Sequence, residues 1–307
     1  FYCKYKLRIR IWFGNFRWGF LKEVSTYSFW VFLSVIMDRI YWNTGQFVLG
    51  MYGGTAAIAV FAVAIQLSVL YMSFSTSISG VFLPKVTAMV ASQSDQKEIS
   101  DLFIRTGRIQ YIVMAFILSG FVVFGRPFIR LWAGDGYEDA YGISLLFFIS
   151  LTIPMIQNLG ITILQARNRM KFRSLLYLVI AFVSLYFQFV LAKQYGGLGC
   201  AIAISAALLI GQGLIMNVYY HRRQGLDLIL FWKEIGRMSV IPFILSVSAF
   251  WLLRDAVWEN WFQLGLGIGI YTLVYLPLFF HYSMNQTERN LFLTPFRKIR
   301  SLAYARN

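Results

Sequence analysis

The chain has 307 residues and a formal net charge of +15; 58% of its residues are hydrophobic and only 13% are charged. A soluble domain carries about 25% charged residues, and one this apolar would expose aggregation-prone patches, so the composition excludes an ordinary soluble globule. It argues equally against a nucleic-acid partner, because the basic residues sit between apolar runs and form no basic, aromatic-interleaved globular domain.

In chain order, residues 1–22 come first as a basic, aromatic segment. Residues 7–20 alternate Arg with Trp and Phe and are too charged to span a bilayer. They are expected to lie in the headgroup layer, where aromatic rings and Arg are both favoured; an ordinary solvated linker is the alternative. A spanning helix needs about 20 mostly apolar residues. Eight runs qualify, at 24–49, 56–83, 107–131, 140–165, 174–193, 197–220, 238–256 and 261–282. The fold class is therefore all-α and polytopic. A basic connection, 222–237, separates the sixth run from the seventh, and a basic tail, 284–307, follows the eighth.

Orientation follows from Lys and Arg. Of the 28, 23 fall in the N-terminal segment, alternate connections and the tail, for example Arg167, Arg169, Lys171 and Arg173, or Arg222, Arg223, Lys233 and Arg237. The opposite loops carry Gly53-Gly54, Asp135, Glu138, Asp139, Gly196-Gly197, Asp255 and Glu259. The positive-inside rule then places both termini in the cytoplasm. No cleavable signal peptide is visible. The longest basic connection, near 84–106, carries Ser92-Gln93-Ser94-Asp95, a helix-start signal. It is too short for an ATPase domain, and no Gly-rich phosphate loop is present.

Charges deep in a bilayer cost about 2.5–3.5 kcal/mol each on insertion scales and are functional candidates. Asp38-Arg39 lie mid-run in the first span. Neighbours on a helix point about 100° apart, so each needs a partner elsewhere. Arg39, Asn43 and Gln46 share one face, which Phe32 and Val35 continue. That stripe fits a helix lining a wet cavity; a buried Asp–Arg bridge to neighbouring helices is the alternative, and both can hold together. Gln66, Gln188 and Gln212 read first as interhelical glue. Gln157-Asn158 follow Pro154, which weakens the backbone ladder and can bend the helix. The run Ser73, Ser75, Ser77, Ser79, Gly80 suits close helix packing. Cys3 and Cys200 fit no metal spacing. His221 and His281 read as interfacial residues. No catalytic or metal constellation stands out, so neither an enzyme nor a cofactor is expected.

Several stretches resemble a known family. Asp38-Arg39, Gly45, Val48-Leu49-Gly50-Met51-Tyr52-Gly53-Gly54 and Ala59-Val60-Phe61-Ala62 are similar to the seventh and eighth helices of polysaccharide-biosynthesis flippases. These belong to the superfamily of multidrug and toxin extruders, O-antigen flippases and lipid II flippases. Phe82-Leu83-Pro84-Lys85-Val86-Thr87, Phe128-Ile129-Arg130-Leu131-Trp132-Ala133-Gly134, Leu164-Gln165-Ala166-Arg167-Asn168-Arg169 and residues 195–203 continue the resemblance in order, over about 20–221.

That family is built from two six-helix lobes around a central cavity, often followed by two more helices. The resemblance implies that this chain supplies the second six-helix lobe, residues 23–221, plus the terminal pair of helices, residues 238–283. A missing N-terminal lobe or a partner protomer would complete it, and the absent initiator Met is in keeping with a partial sequence. It further implies flipping of an undecaprenyl-pyrophosphate-linked oligosaccharide across the bacterial inner membrane, for an O-antigen or lipopolysaccharide-type product, in contact with membrane lipid. Arg39 would receive the pyrophosphate, and Asn43, Gln46, Gln157 and Asn158 the sugar hydroxyls. Asp38 and Gln66 complete the candidate cavity set. One lobe would rock against the other. A cation-coupled drug exporter of the same fold, relying on Asp38, and a membrane-embedded polymerase or glycosyltransferase are the rival expectations.

Overall fold

The computed structural model describes residues 18–254 and 256–294. The interfacial segment expected at 7–20 falls almost wholly outside them, as do Cys3, Asp255 and the end of the basic tail. Among the described residues the chain is helical and has no strand. The helices are α1 (Trp18–Tyr52), α2 (Gly54–Ala91), α3 (Gln96–Ala133), α4 (Asp139–Met155), α5 (Asn158–Ala166), α6 (Lys171–Leu208), α7 (Met216–Gln224), α8 (Leu228–Leu253) and α9 (Trp261–Tyr282). A π-helical turn, Leu209–Ile215, joins α6 to α7. A further helical segment covers residues 286–294.

Among the described residues seven helical stretches are long and apolar enough to cross a membrane, and the protein is a multi-pass membrane protein. One of these, Lys171–Gln224, is 54 residues long. A straight helix of that length would reach about 80 Å, far beyond a hydrocarbon core of about 30 Å. It doubles back at Gly196, whose φ of 55° and ψ of −131° lie outside the helical region. The Phe172 and Tyr219 rings stack 4.2 Å apart although 47 positions separate them. Lys171–Gln224 is therefore two antiparallel crossings, and the expected eight spans are present.

Glycine makes this reversal. Gly196 supplies the positive φ, which an L side chain resists. Three residues on, a methyl on Gly199 would overlap the carbonyl oxygen of Leu191. The obstacle is backbone, which cannot rotate away. Gly199→Ala should cost about 1–3 kcal/mol, the usual range for overpacking, read as a lower denaturation midpoint in detergent. An unchanged midpoint would mean that the two crossings are not tightly apposed.

The helices overrun the apolar runs chiefly at the basic end of the bundle. Asp95 starts α3 as the sequence signal predicts, its carboxylate accepting from Lys97 N at 3.4 Å. The bend expected after Pro154 is present: α4 stops at Met155 and α5 begins at Asn158. α1 packs along α6, and α2 packs against α3, α4 and α5. The core is aromatic, with Phe61 on Phe147 and Tyr71 stacked 4.2 Å from Phe148. Offset or edge-on ring pairs add about 0.5–1.5 kcal/mol beyond burial.

The terminal pair α8 and α9 docks on α3. Phe103 meets Phe231, Phe116 meets Tyr275, and Phe124 meets both Trp258 and Tyr271. At the basic end Arg108 of α3, 4% exposed, is an ionic hub. Its Nε and Nη2 donate to Glu288 at 2.6 and 2.9 Å, and Nη1 donates to Glu234. Glu288 also closes a reciprocal cap with Asn285, each accepting from the other's backbone N–H at 2.9 Å.

Candidate functional site

The first hairpin carries the candidate site. Gly45 of α1 sits against Phe61 of α2, where a Cβ would meet the ring at 2.6 Å. This close approach fixes the antiparallel register and sets Arg39 level with Gln66. Arg39 lies 13 residues, or about 20 Å, from the Tyr52 end of α1. That is inside the hydrocarbon depth but nearer the basic end than the midpoint.

Asp38, Arg39, Asn43 and Gln66 are all exposed, and Gln46 is half-buried. Their helices are packed into the bundle by other faces: Tyr41, Trp42, Gly45, Val48 and Leu49 on α1, and Phe61, Ala64, Leu67 and Ser68 on α2. Asn43 spends its amide on the carbonyl of Arg39, 2.7 Å away in its own helix, leaving its side-chain oxygen free. Gln66 has no hydrogen-bond partner among the described residues, so it is not glue within this lobe. The Ser/Gly run divides in two. Ser75 and Ser79 are buried and both accept from Gln110 Nε2, at 2.9 and 2.7 Å. Ser73, Thr76, Ser77 and Gly80 remain on the open side. The exposed edge of this hairpin thus carries polar side chains among apolar ones such as Phe47 and Leu70, at a depth where lipid is apolar.

Asp38 has a cation of another helix in its neighbourhood. Its carboxylate is within electrostatic reach of Arg173 of α6 as well as of Arg39. Arg173 is buried and lies 4.5 Å over the Tyr177 ring. Ser34, one turn towards the basic end, hydrogen-bonds Ser174 at 2.7 Å and fixes the level at which the helices meet. Asp38 thus lies between two arginines without an ion pair closer than 4.0 Å among the described residues, and Arg39 is exposed. Sequence reading grouped Arg173 with the loop cations; only its burial separates it from them.

Gln157 and Asn158 are not on the open face. Gln157 is buried and exchanges two hydrogen bonds with Asn217, at 2.9 and 3.3 Å. Asn217 also accepts from Trp232 Nε1 at 2.7 Å. This amide pair ties the break after α4 to α7 and α8. Asn158 is half-buried beside it. The structure thus brings Arg39, Asn43, Gln46 and Gln66 onto one hairpin and leaves Gln157 inside the lobe. Gln188 behaves as glue, donating to Ser184 at 3.0 Å and to Thr44 at 3.4 Å.

Residues 1–142, which contain this hairpin and α3, match a family model described as a polysaccharide biosynthesis protein. The likeness covers a little less than half of the chain. No curated protein and no solved structure matches the chain.

Proposed function

We propose that the protein moves a lipid-linked oligosaccharide, carried on undecaprenyl pyrophosphate, across the cytoplasmic membrane, acting as a transporter and not as an enzyme. The observation that carries this reading is the open polar edge of α1 and α2. Arg39 and Gln66 sit level on it within membrane depth, in the segment similar to polysaccharide biosynthesis proteins. A charge left in lipid costs about 2.5–3.5 kcal/mol, so the edge needs water or protein in front of it. A second lobe, or a second copy, facing this hairpin would enclose a wet cavity walled by Arg39, Asn43, Gln46 and Gln66. In that cavity a guanidinium is a strong, bidentate partner for a diphosphate, while amides and hydroxyls suit sugar.

The basic end would face the cytoplasm, where such lipids are assembled. Asp38, the acid nearest the edge, already lies among two arginines; that arrangement disfavours an organic cation as cargo. Reconstitution of the full-length protein into liposomes containing a prenyl-diphosphate-linked oligosaccharide provides the test. Sugar should reach the opposite leaflet faster than in protein-free vesicles; equal rates would sink the proposal.

A further inference from the structure

The basic end of the bundle holds a cleft of about 720 Å³ that the polar edge does not use. Three connections build it: the α2–α3 turn through Gln96, the α5–α6 turn through Arg167, Asn168 and Arg169, and the end of α7 through Arg222, Arg223, Gln224 and Gly225. Four of its lining residues are arginines and none is acidic. Two acidic residues beside it in sequence cap helices. Asp95 caps α3, and Asp227 caps α8 by accepting from Leu230 N at 2.9 Å. The two undescribed terminal segments, 1–17 and 295–307, contain no Asp or Glu side chain that could neutralise it.

The floor of the cleft is constructed. Arg167 Nη2 donates to Gln96 Oε1 at 2.6 Å, and Nη1 donates to the carbonyl and side-chain oxygens of Gln224 at 3.0 and 3.3 Å. Gln96 Nε2 closes the ring on the carbonyls of Gln224 and Gly225, at 2.8 and 3.1 Å. Asn168 turns the chain in the left-handed region, φ 53°, between the two arginines of its connection. Burial and the neighbouring Arg169 both lower the Arg167 pKa, as expected of a cation held among cations.

Two features point to a ligand. Gln224 is 2% exposed, and its Nε2 has no hydrogen-bond partner. The amide cannot be flipped to cure this, because Arg167 already requires the oxygen on its own side. An orphaned buried donor costs about 1–3 kcal/mol, and an anion would satisfy it. Secondly, Arg169, Arg222 and Arg223 have no ion-pair partner among the described residues, yet two separate parts of the chain, the α5–α6 turn and the end of α7, bring them around Arg167.

We infer that this cleft is a binding site for a phosphate-bearing anion, taken either from an anionic lipid headgroup at the membrane surface or from a free phosphate compound. Planar guanidinium forks from several directions suit a tetrahedral, multiply charged group better than a carboxylate. The inference is independent of the translocation reading, since it uses none of the residues of the polar edge.

The test uses the full chain in detergent with two probes, inorganic pyrophosphate by calorimetry and phosphatidylglycerol retention by native mass spectrometry. The triple variant Arg169→Gln, Arg222→Gln, Arg223→Gln changes only exposed side chains and should keep the wild-type melting midpoint. It should bind the successful probe at least about tenfold more weakly, the loss expected of one to two charge-assisted hydrogen bonds. Lys85→Gln, an exposed cation outside the cleft, should bind as wild type. Saturable pyrophosphate binding assigns the site to a free phosphate compound, and retention of phosphatidylglycerol alone assigns it to a headgroup. Binding of neither probe overturns the inference, as does equal loss in Lys85→Gln or no loss in the triple variant.

Discussion

Replacing Arg108 by Met should destabilise the protein by about 3–5 kcal/mol, the usual cost of removing one member of a buried ionic cluster. The residue joins α3 to Glu234 of α8 and to Glu288 beyond α9. Its loss strands Glu288, 3% exposed, with a full charge and only its cap bonds to the backbone N–H of Asn285 for company. The expected readout is a sharply lower midpoint in a denaturing-detergent titration, with protease cutting near residues 283–290 at lower denaturant than in wild type. The combined variant Arg108→Met, Glu234→Gln, Glu288→Gln should recover much of the loss, because no unpaired charge is then buried. A single variant with wild-type stability would show that the cluster does not hold the terminal pair in place.

Arg39→Ala should lower polysaccharide export by about ten- to hundredfold in a cell that depends on this protein. That range corresponds to losing a charge-assisted contact of about 1.5–3 kcal/mol with a diphosphate. The side chain is exposed and has no ion pair within 4.0 Å among the described residues, so the variant should fold and insert as wild type. Arg39→Lys should retain an intermediate rate, since it keeps the charge and loses the planar fork. Asn43→Ala should fall by less, because that amide is already bonded within its own helix. Export at the native rate in Arg39→Ala would remove the residue from the transport path. If Asp38→Asn proved the damaging change instead, and efflux of organic cations fell with it, the drug-exporter rival would replace the present reading.

Much of this architecture was legible because lipid imposes a simple length rule. Five of the eight apolar runs lie inside single α-helices, 140–165 bridges α4 and α5, 197–220 runs through the π-helical turn into α7, and 238–256 outlasts α8; the expected boundaries at 261 and 282 coincide with the ends of α9. The chain reversal at Gly196 was readable as a gap in hydropathy, although the backbone there passes from one helix directly into the next. What sequence could not supply was which way a polar side chain faces. Gln66 and Gln157 look alike in a hydropathy plot; one is open and the other buried in a reciprocal amide pair. Arg108, Arg167 and Arg173 likewise look like ordinary loop cations. Burial makes the first an ionic hub, the second a cleft floor and the third the neighbour of Asp38. Charge counting does not distinguish solvated cations from those with structural employment, because that distinction depends on contacts between residues as distant in sequence as 108 and 288.

That last separation has a consequence during biosynthesis. Ribosomes deliver residue 108 long before residue 288, and about 180 positions are made between the cation and its principal carboxylate. Until residue 288 emerges, Arg108 can pair only with Glu234 of α8. Bidentate closure of its guanidinium therefore waits on synthesis past α9, so the terminal pair can insert before it is locked in place.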